Sequence, residues 1–193
     1  MHPFRAYISD YALLSEDEWK AIESCLEKKK YESGTSILES GKICRKLYFL
    51  ESGFLRYYYL SKNGDSVSKF FTEPPYCFTA QRSFTKEIPA QEGIETLEDS
   101  VIWEMSKKDA FALFRFSKWS KFVRKLVQEV QFNTEQILEE FQSQTAEERY
   151  FKMMEEGNIL LKKVPLKHLA SYLGIAPQSL SRIRKKYALQ RQT

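Results

Sequence analysis

The chain has 193 residues, 42% of them hydrophobic and 29% charged, with a formal net charge of +4. That length allows one large domain or a medium domain with a small one, and the balance is that of a folded globular protein rather than a disordered one. No apolar run approaches the roughly 18 residues of a membrane helix; no basic start followed by an apolar stretch marks a secretory signal; and three scattered cysteines, Cys25, Cys44 and Cys77, form neither a metal pair nor a disulfide framework, so a reducing, cytoplasmic setting without a membrane partner is expected.

Residues 15–30 read as a helix. Ser15 and Glu18 make a capping box, and Trp19, Ile22 and Leu26 recur at helical spacing. From residue 31 to about 105, short runs rich in Tyr, Phe, Ile and Val alternate with turn residues. "KLYFLESGFLRYYYLSKNGDSVSKFF" reads as three strands, with a tight first turn at residues 51–53 and a hairpin at Asn63-Gly64. "GIETLEDSVIWEMS" reads as two more, split at residues 98–100. Strands at this spacing indicate an antiparallel barrel or sandwich. Ser106 then caps a short helix.

The longest helix is expected over about residues 118–142. Trp119, Val123, Leu126, Val130, Asn133 and Ile137 step by fours and threes, a heptad seam with one polar member. Such a seam suits a homodimer, with Asn133 fixing register. An amphipathic helix packed on its own body is the alternative; the 3.5-residue period favours the dimer. Phe122, Leu138 and Phe141 form a second row suited to docking on the chain itself. The polar stretch 142–145 is the best domain boundary, and Thr145 with Glu148 opens the next helix through another capping box.

Charge is unevenly spread. Beyond Glu156 there is no acid, yet the tail holds Lys162, Lys163, Lys167, Arg182, Arg184, Lys185, Lys186 and Arg191, while the first 156 residues carry 22 basic against 26 acidic groups. A body of opposite charge with a cationic tail points to a polyanion, although charge runs are often merely solvated faces. Pro165 suits a first helical position, and Leu166, Leu169, Ala170 and Leu173 share one face. Gly174 ends that helix and Pro177 begins another, whose Leu180, Ile183 and Tyr187 should be buried. Two short helices joined by a Gly-containing turn are a helix-turn-helix. The other face of the second helix carries Gln178, Ser181, Arg182 and Lys185, flanked by Ser179 and Lys186. Gln can pair with adenine and Arg with guanine in a major groove; Ser179, Lys185 and Lys186 suit phosphate. Lys167 and His168 on the first helix are counted with this DNA-facing set. Double-stranded DNA is the expected partner.

These residues resemble the Crp/Fnr-type transcriptional regulators over nearly the whole chain. "YESGTSILESGKICRKLYFLESGFLRYYYLSKNGDSVSKFF" is similar to the opening strands of the family's cyclic-nucleotide-binding β-roll, and "ASYLGIAPQSLSRIRKK" to its helix-turn-helix. The resemblance implies an α+β fold: an antiparallel, jelly-roll-like β-roll sensor over 1–117, a dimerisation helix over 118–143, and a helix-turn-helix domain over 144–193. It implies a homodimeric DNA-binding regulator, with RNA polymerase as a further partner and an unidentified small-molecule effector. Gln178 and Arg182 match the family's base-reading positions. Pro177 stands where members reading guanine through the helix start carry a polar residue, so no operator sequence is carried over. Where cyclic-nucleotide binders have Gly-Glu this chain has Phe78-Thr79, and Ala90-Gln91 fall about where Arg-Ser would be, with Arg82 nearby but out of position. Without that arginine a buried phosphate lacks its charge-assisted partner, so cyclic AMP binding in the usual manner is not expected; the effector pocket is assigned to Phe78, Thr79, Arg82 and Gln91, with a surface cation the favoured reading of Arg82 itself. About seven residues follow Lys186, too few for the family's β-hairpin wing, leaving little or no wing and a terminal arm "LQRQT" to touch phosphate. Cysteines are not clustered for iron–sulfur, and His2 and His168 give no haem signal, so no cofactor is expected.

An enzyme is disfavoured. A metal-dependent barrel needs several converging His and carboxylate ligands, and the strand region has no histidine. Cys77 has no histidine partner there to make a nucleophile. A β-roll that binds a protein partner, its basic tail incidental, is the better alternative.

Overall fold

The computed structural model describes residues 1–190. In order, the chain forms α1 (Pro3–Ser9), α2 (Glu16–Glu23), β1 (Glu27–Tyr31), β2 (Ser36–Leu38), β3 (Lys46–Ser52), β4 (Leu55–Leu60), β5 (Ser66–Thr72), β6 (Tyr76–Phe78), α3 (Gln81–Lys86), β7 (Glu92–Thr96), β8 (Ser100–Ser106), α4 (Lys107–Ala112), a 3₁₀ turn, α5 (Ser117–Ser143), α6 (Ala146–Glu155), α7 (Leu160–Lys163), α8 (Leu166–Tyr172) and α9 (Pro177–Gln190). Short polar side chains set several helix starts by satisfying otherwise unpaired N–H groups. The Ser15–Glu18 and Thr145–Glu148 capping boxes both form, and Ser106 accepts the Asp109 N–H.

All strand pairs are antiparallel, in two four-stranded sheets ordered β1-β8-β3-β6 and β2-β7-β4-β5. The architecture is the expected α+β β-roll. β4 and β5 make the hairpin marked by Asn63-Gly64, with Gly64 at φ 84°. The turn at residues 51–53 does something else. β3 and β4 lie in different sheets, so the chain crosses between layers there. Gly53, at φ 111°, sits so close to β8 that an added Cβ would fall 2.1 Å from Ser100 Oγ; only glycine fits this corner.

The predicted helix over 15–30 is too long. It stops at Glu23, and Glu27–Tyr31 pairs with β8 instead. Lys28 to Lys30 are good helix formers, but the open edge of β8 offers a backbone ladder. It also offers Glu104, which is 4% exposed, accepts from Lys46 Nζ at 2.5 Å and from the Tyr31 hydroxyl, and pairs with Lys29 at 3.2 Å. Tertiary pairing overrides local preference here. The short elements α1, β6 and α3 carry too little periodicity to be read from sequence.

The main core lies between the sheets and is closed by α1, α2 and the first turns of α5, with Phe4, Ile8, Trp19, Ile22, Phe49, Leu50, Trp119 and Phe122 all buried. Each contributes about 1.5–3 kcal/mol by leaving water. A second cluster holds the C-terminal helices together through Tyr150, Met153, Val164, Leu169, Ala170, Leu173, Leu180 and Tyr187, and it includes Phe54 and Phe71 of the β-roll. The C-terminal helices are therefore docked on the outer face of the second sheet.

Candidate nucleic-acid interface and effector cleft

The helix-turn-helix is built by the apolar residues that the sequence singled out. Leu169, Ala170, Leu173, Leu180 and Tyr187 are buried. Gly174 takes φ 74° just past α8, where the left-handed conformation suits glycine. Pro177 is the first residue of α9. Pro165 is placed one position earlier than expected: it is the N-cap of α8 rather than its first residue.

With those side chains inward, α9 presents the opposite face to solvent. Gln178, Ser181, Arg182 and Lys185 fall at i, i+3, i+4 and i+7, and all are exposed, as is Lys186. Ser179 is half-buried. The Ser181 hydroxyl donates to the Pro177 carbonyl at 3.0 Å, and Lys186 pairs with Glu147 at 2.5 Å. Lys167 is exposed on α8. The arm "LQRQT" is described as far as Gln190, the end of α9; residues 191–193 lie outside the described residues.

His168 is not on this face. It is half-buried against the β-roll, and its pKa is lowered from 6.5 to about 4, first by burial, then by the charges of Arg56 on β4 and Lys167, with Glu95 on β7 opposing. The DNA-facing expectation for His168 is corrected: α8 turns this side toward the sheet. The docking has a polar centre that sequence reasoning missed. Arg56 is 1% exposed; its Nε donates to Ser68 Oγ at 2.8 Å, NH1 to Glu95 at 2.7 Å, and NH2 to Ser66 Oγ at 2.6 Å. Ser171 Oγ of α8 donates to Ser68 Oγ at 2.9 Å. Lys163 pairs with Glu98 at 3.0 Å, and the Phe71 and Tyr172 rings meet edge to face at 5.5 Å. A buried guanidinium needs such partners; an Arg among tyrosines in a strand gives no signal of this in sequence.

The α5 seam divides along its length. Trp119 is fully buried and donates Nε1–H to the Ala110 carbonyl at 3.0 Å. It belongs to the protomer's own core and is removed from the dimer set, because a side chain with no exposed surface cannot touch a partner. Val123, Leu126, Val130 and Ile137 are half-buried and Asn133 is exposed. In the second row, Phe122 docks on the body as expected, but Leu138 stays 56% exposed, as Phe132 does at 65%. Phe141, itself exposed, lies 4.0 Å from the Arg149 guanidinium and meets Tyr172 edge to face.

Between α5 and the β-roll is a cleft of about 410 Å³. Phe78 and Thr79 line it, together with Tyr57, Phe70, Glu92 and the seam residues of α5. Arg82 and Gln91 do not. They form an exposed pair at 3.3 Å on the surface, so their assignment to the effector pocket is corrected, while the reading of Arg82 as a surface cation holds: the turns around α3 aim them outward. The Thr79 hydroxyl is engaged with the Lys46 carbonyl at 2.9 Å.

Residues 28–115 match the cyclic nucleotide-binding domain family. No curated protein matches the sequence. Solved structures share the fold along most of the chain. One from Eubacterium rectale, described as a regulator of the crp/fnr family, is 16% identical with a TM-score of 0.73, over 92% of this chain and 85% of that one. The c-di-GMP-responsive global regulator CLP of Xanthomonas campestris is 15% identical with a TM-score of 0.71, over 91% and 93%. The catabolite activator protein of Thermus thermophilus is 19% identical with a TM-score of 0.57, over 92% and 85%. The chain thus has the fold of these structures, each of which is described as a regulator or activator. Among the described residues no helix is long and apolar enough to cross a membrane.

Proposed function

We propose that this chain, carrying that fold and a cyclic-nucleotide-binding-type β-roll, is a Crp/Fnr-type transcriptional regulator that binds DNA as a homodimer in the cytoplasm. Residues 1–117 act as sensor, 118–143 as dimerisation helix and 144–193 as DNA-binding domain. The observation that carries this is the exposed face of α9, where Gln178, Arg182, Lys185 and Lys186 stand together on a helix-turn-helix whose other face is buried. Gln178 and Arg182 read base edges; Lys185, Lys186 and Lys167 meet phosphate. Val123, Leu126, Val130, Asn133 and Ile137, the seam that remains once Trp119 is assigned to the protomer's own core, hold the dimer. Two recognition helices about 34 Å apart would read a near-palindromic site. RNA polymerase is the partner through which such binding would regulate, and the cleft beside α5 is where an effector would act on helix pairing.

Selection of bound sequences from random duplexes tests this directly. A palindromic consensus is expected, and log K should fall against log[salt] with a slope of about −5 to −9 if a dimer neutralises roughly 6–10 phosphates. No selected sequence and a flat salt response would instead favour a β-roll module for a protein partner.

A further inference from the structure

The β-roll belongs to a type named for cyclic nucleotides, but the cleft of this chain does not suit one. Among the described residues the cleft's one lining cation is Lys69, which is exposed, and no arginine lines it. Glu92 stands on the same wall, and its negative charge is felt by Tyr57. A cyclic phosphate seated here would lose its water, meet a carboxylate and find no guanidinium in return.

What the cleft does offer is largely apolar surface with, among the described residues, one buried donor left unmet. Its volume, about 410 Å³, falls in the range of small-molecule sites. Tyr57 lines it at 8% exposure, between the rings of Phe70 at 5.7 Å and Phe78 at 6.3 Å. The Tyr57 hydroxyl is cut off from solvent and has no hydrogen-bond partner in the protein. Buried hydroxyls are paired in the great majority of cases, so one left over at a cleft wall points to a partner from outside the chain. Burial also pushes its pKa well above the usual 10.0, so the group is a donor at any physiological pH.

We infer that the cleft between α5 and the β-roll binds an uncharged, largely apolar small molecule bearing one hydrogen-bond acceptor, which the Tyr57 hydroxyl meets, and that it does not bind a cyclic nucleotide. The ligand lies against the Phe70 and Phe78 rings on one side and Leu126 on the other. This deepens the regulatory proposal and rests on it for the consequence of binding, but binding itself can be measured without DNA. Failure of the duplex selection would therefore leave this site standing, and the reverse holds too.

The probe is N-phenyl-1-naphthylamine, an uncharged fluorophore, titrated into the full-length protein. Saturable binding at one site per protomer is expected. 2-Acetylnaphthalene, which has a carbonyl acceptor, should displace it at lower concentration than 2-ethylnaphthalene, which has none. Tyr57→Phe should leave the probe and the hydrocarbon within about twofold and weaken the ketone about five- to tenfold. Leu126→Trp, which fills the cleft, should abolish probe binding with an unchanged circular dichroism spectrum. Non-saturable binding, equal losses for ketone and hydrocarbon in Tyr57→Phe, full probe binding to Leu126→Trp, or displacement by cyclic AMP would each overturn the assignment. So would an absence of probe binding, as when the helix of a second copy already fills the cleft.

Discussion

Ser171 and Ser68, 103 residues apart in the chain, are joined hydroxyl to hydroxyl at 2.9 Å, and the Ser68 N–H donates to Ser171 Oγ at 3.1 Å. Ser68 also accepts from Arg56 Nε at 2.8 Å, so a continuous polar chain runs from Glu95 through Arg56 and Ser68 to the first helix of the helix-turn-helix. Arg56 and Tyr57 are neighbours on β4. Strand alternation sends one toward the docked helices and the other to the cleft.

A double-mutant cycle on Ser68→Ala and Ser171→Ala measures that junction. A coupling of about 0.5–1.5 kcal/mol in urea unfolding is expected for a shared, half-buried hydroxyl pair. Additive single effects would mean that α8 does not dock on the β-roll this way in solution.

His168 gives the junction a pH dependence. In the folded chain its pKa is held at about 4 against the ordinary 6.5, chiefly by burial and next by Arg56. The unfolded chain then binds a proton that the folded one refuses. The stability involved is full above pH 6.5 and is lost as pH falls through 6.5 toward 4. Urea midpoints taken from about pH 7 to about pH 5 should fall more steeply for the wild type than for His168→Gln. Equal slopes would place His168 in solvent.

Trp119 and Asn133 share a seam by spacing but not by environment. Trp119→Ala should cost about 3–5 kcal/mol of stability, since it empties a fully buried site. Asn133→Val should change oligomer state or its stability, read by sedimentation, without comparable damage to the protomer. Sedimentation and thermal unfolding of Asn133→Val both identical to wild type would count against the dimer seam.

Arg182→Ala should cost about 1–3 kcal/mol on the selected duplex and relax the preference at one base position. A uniform loss across all sequences would make Arg182 a phosphate contact.

Two glycines with positive φ separate strain from crowding. Gly34, at φ 80°, has nothing within 4 Å of an added Cβ, so Gly34→Ala should cost about 1–2 kcal/mol from backbone strain alone. Gly53→Ala adds the collision with Ser100 and should cost clearly more in thermal unfolding.

Periodicity and capping are local, and on their own they determined the β-rich body, the α5 span, the starts of α2, α4 and α6, and the helix-turn-helix with its outward cations. The inward Leu180 and Tyr187 fix which way Arg182 must face, so that part of the site is legible in the sequence. What the tertiary structure decided was which apolar or charged surface each face meets. Trp119 and Val130 obey the same heptad, yet one is capped by the roll and the other is not. His168 looks like its exposed neighbour Lys167 until α8 is laid on β5. Residues 27–31 become a strand only because β8 has an open edge. Arg56 is buried because α8, more than a hundred residues away, covers it, and Tyr57 lacks a partner because two strands and a helix leave a gap around it. These outcomes depend on contacts between segments distant in the chain, and no local pattern records them.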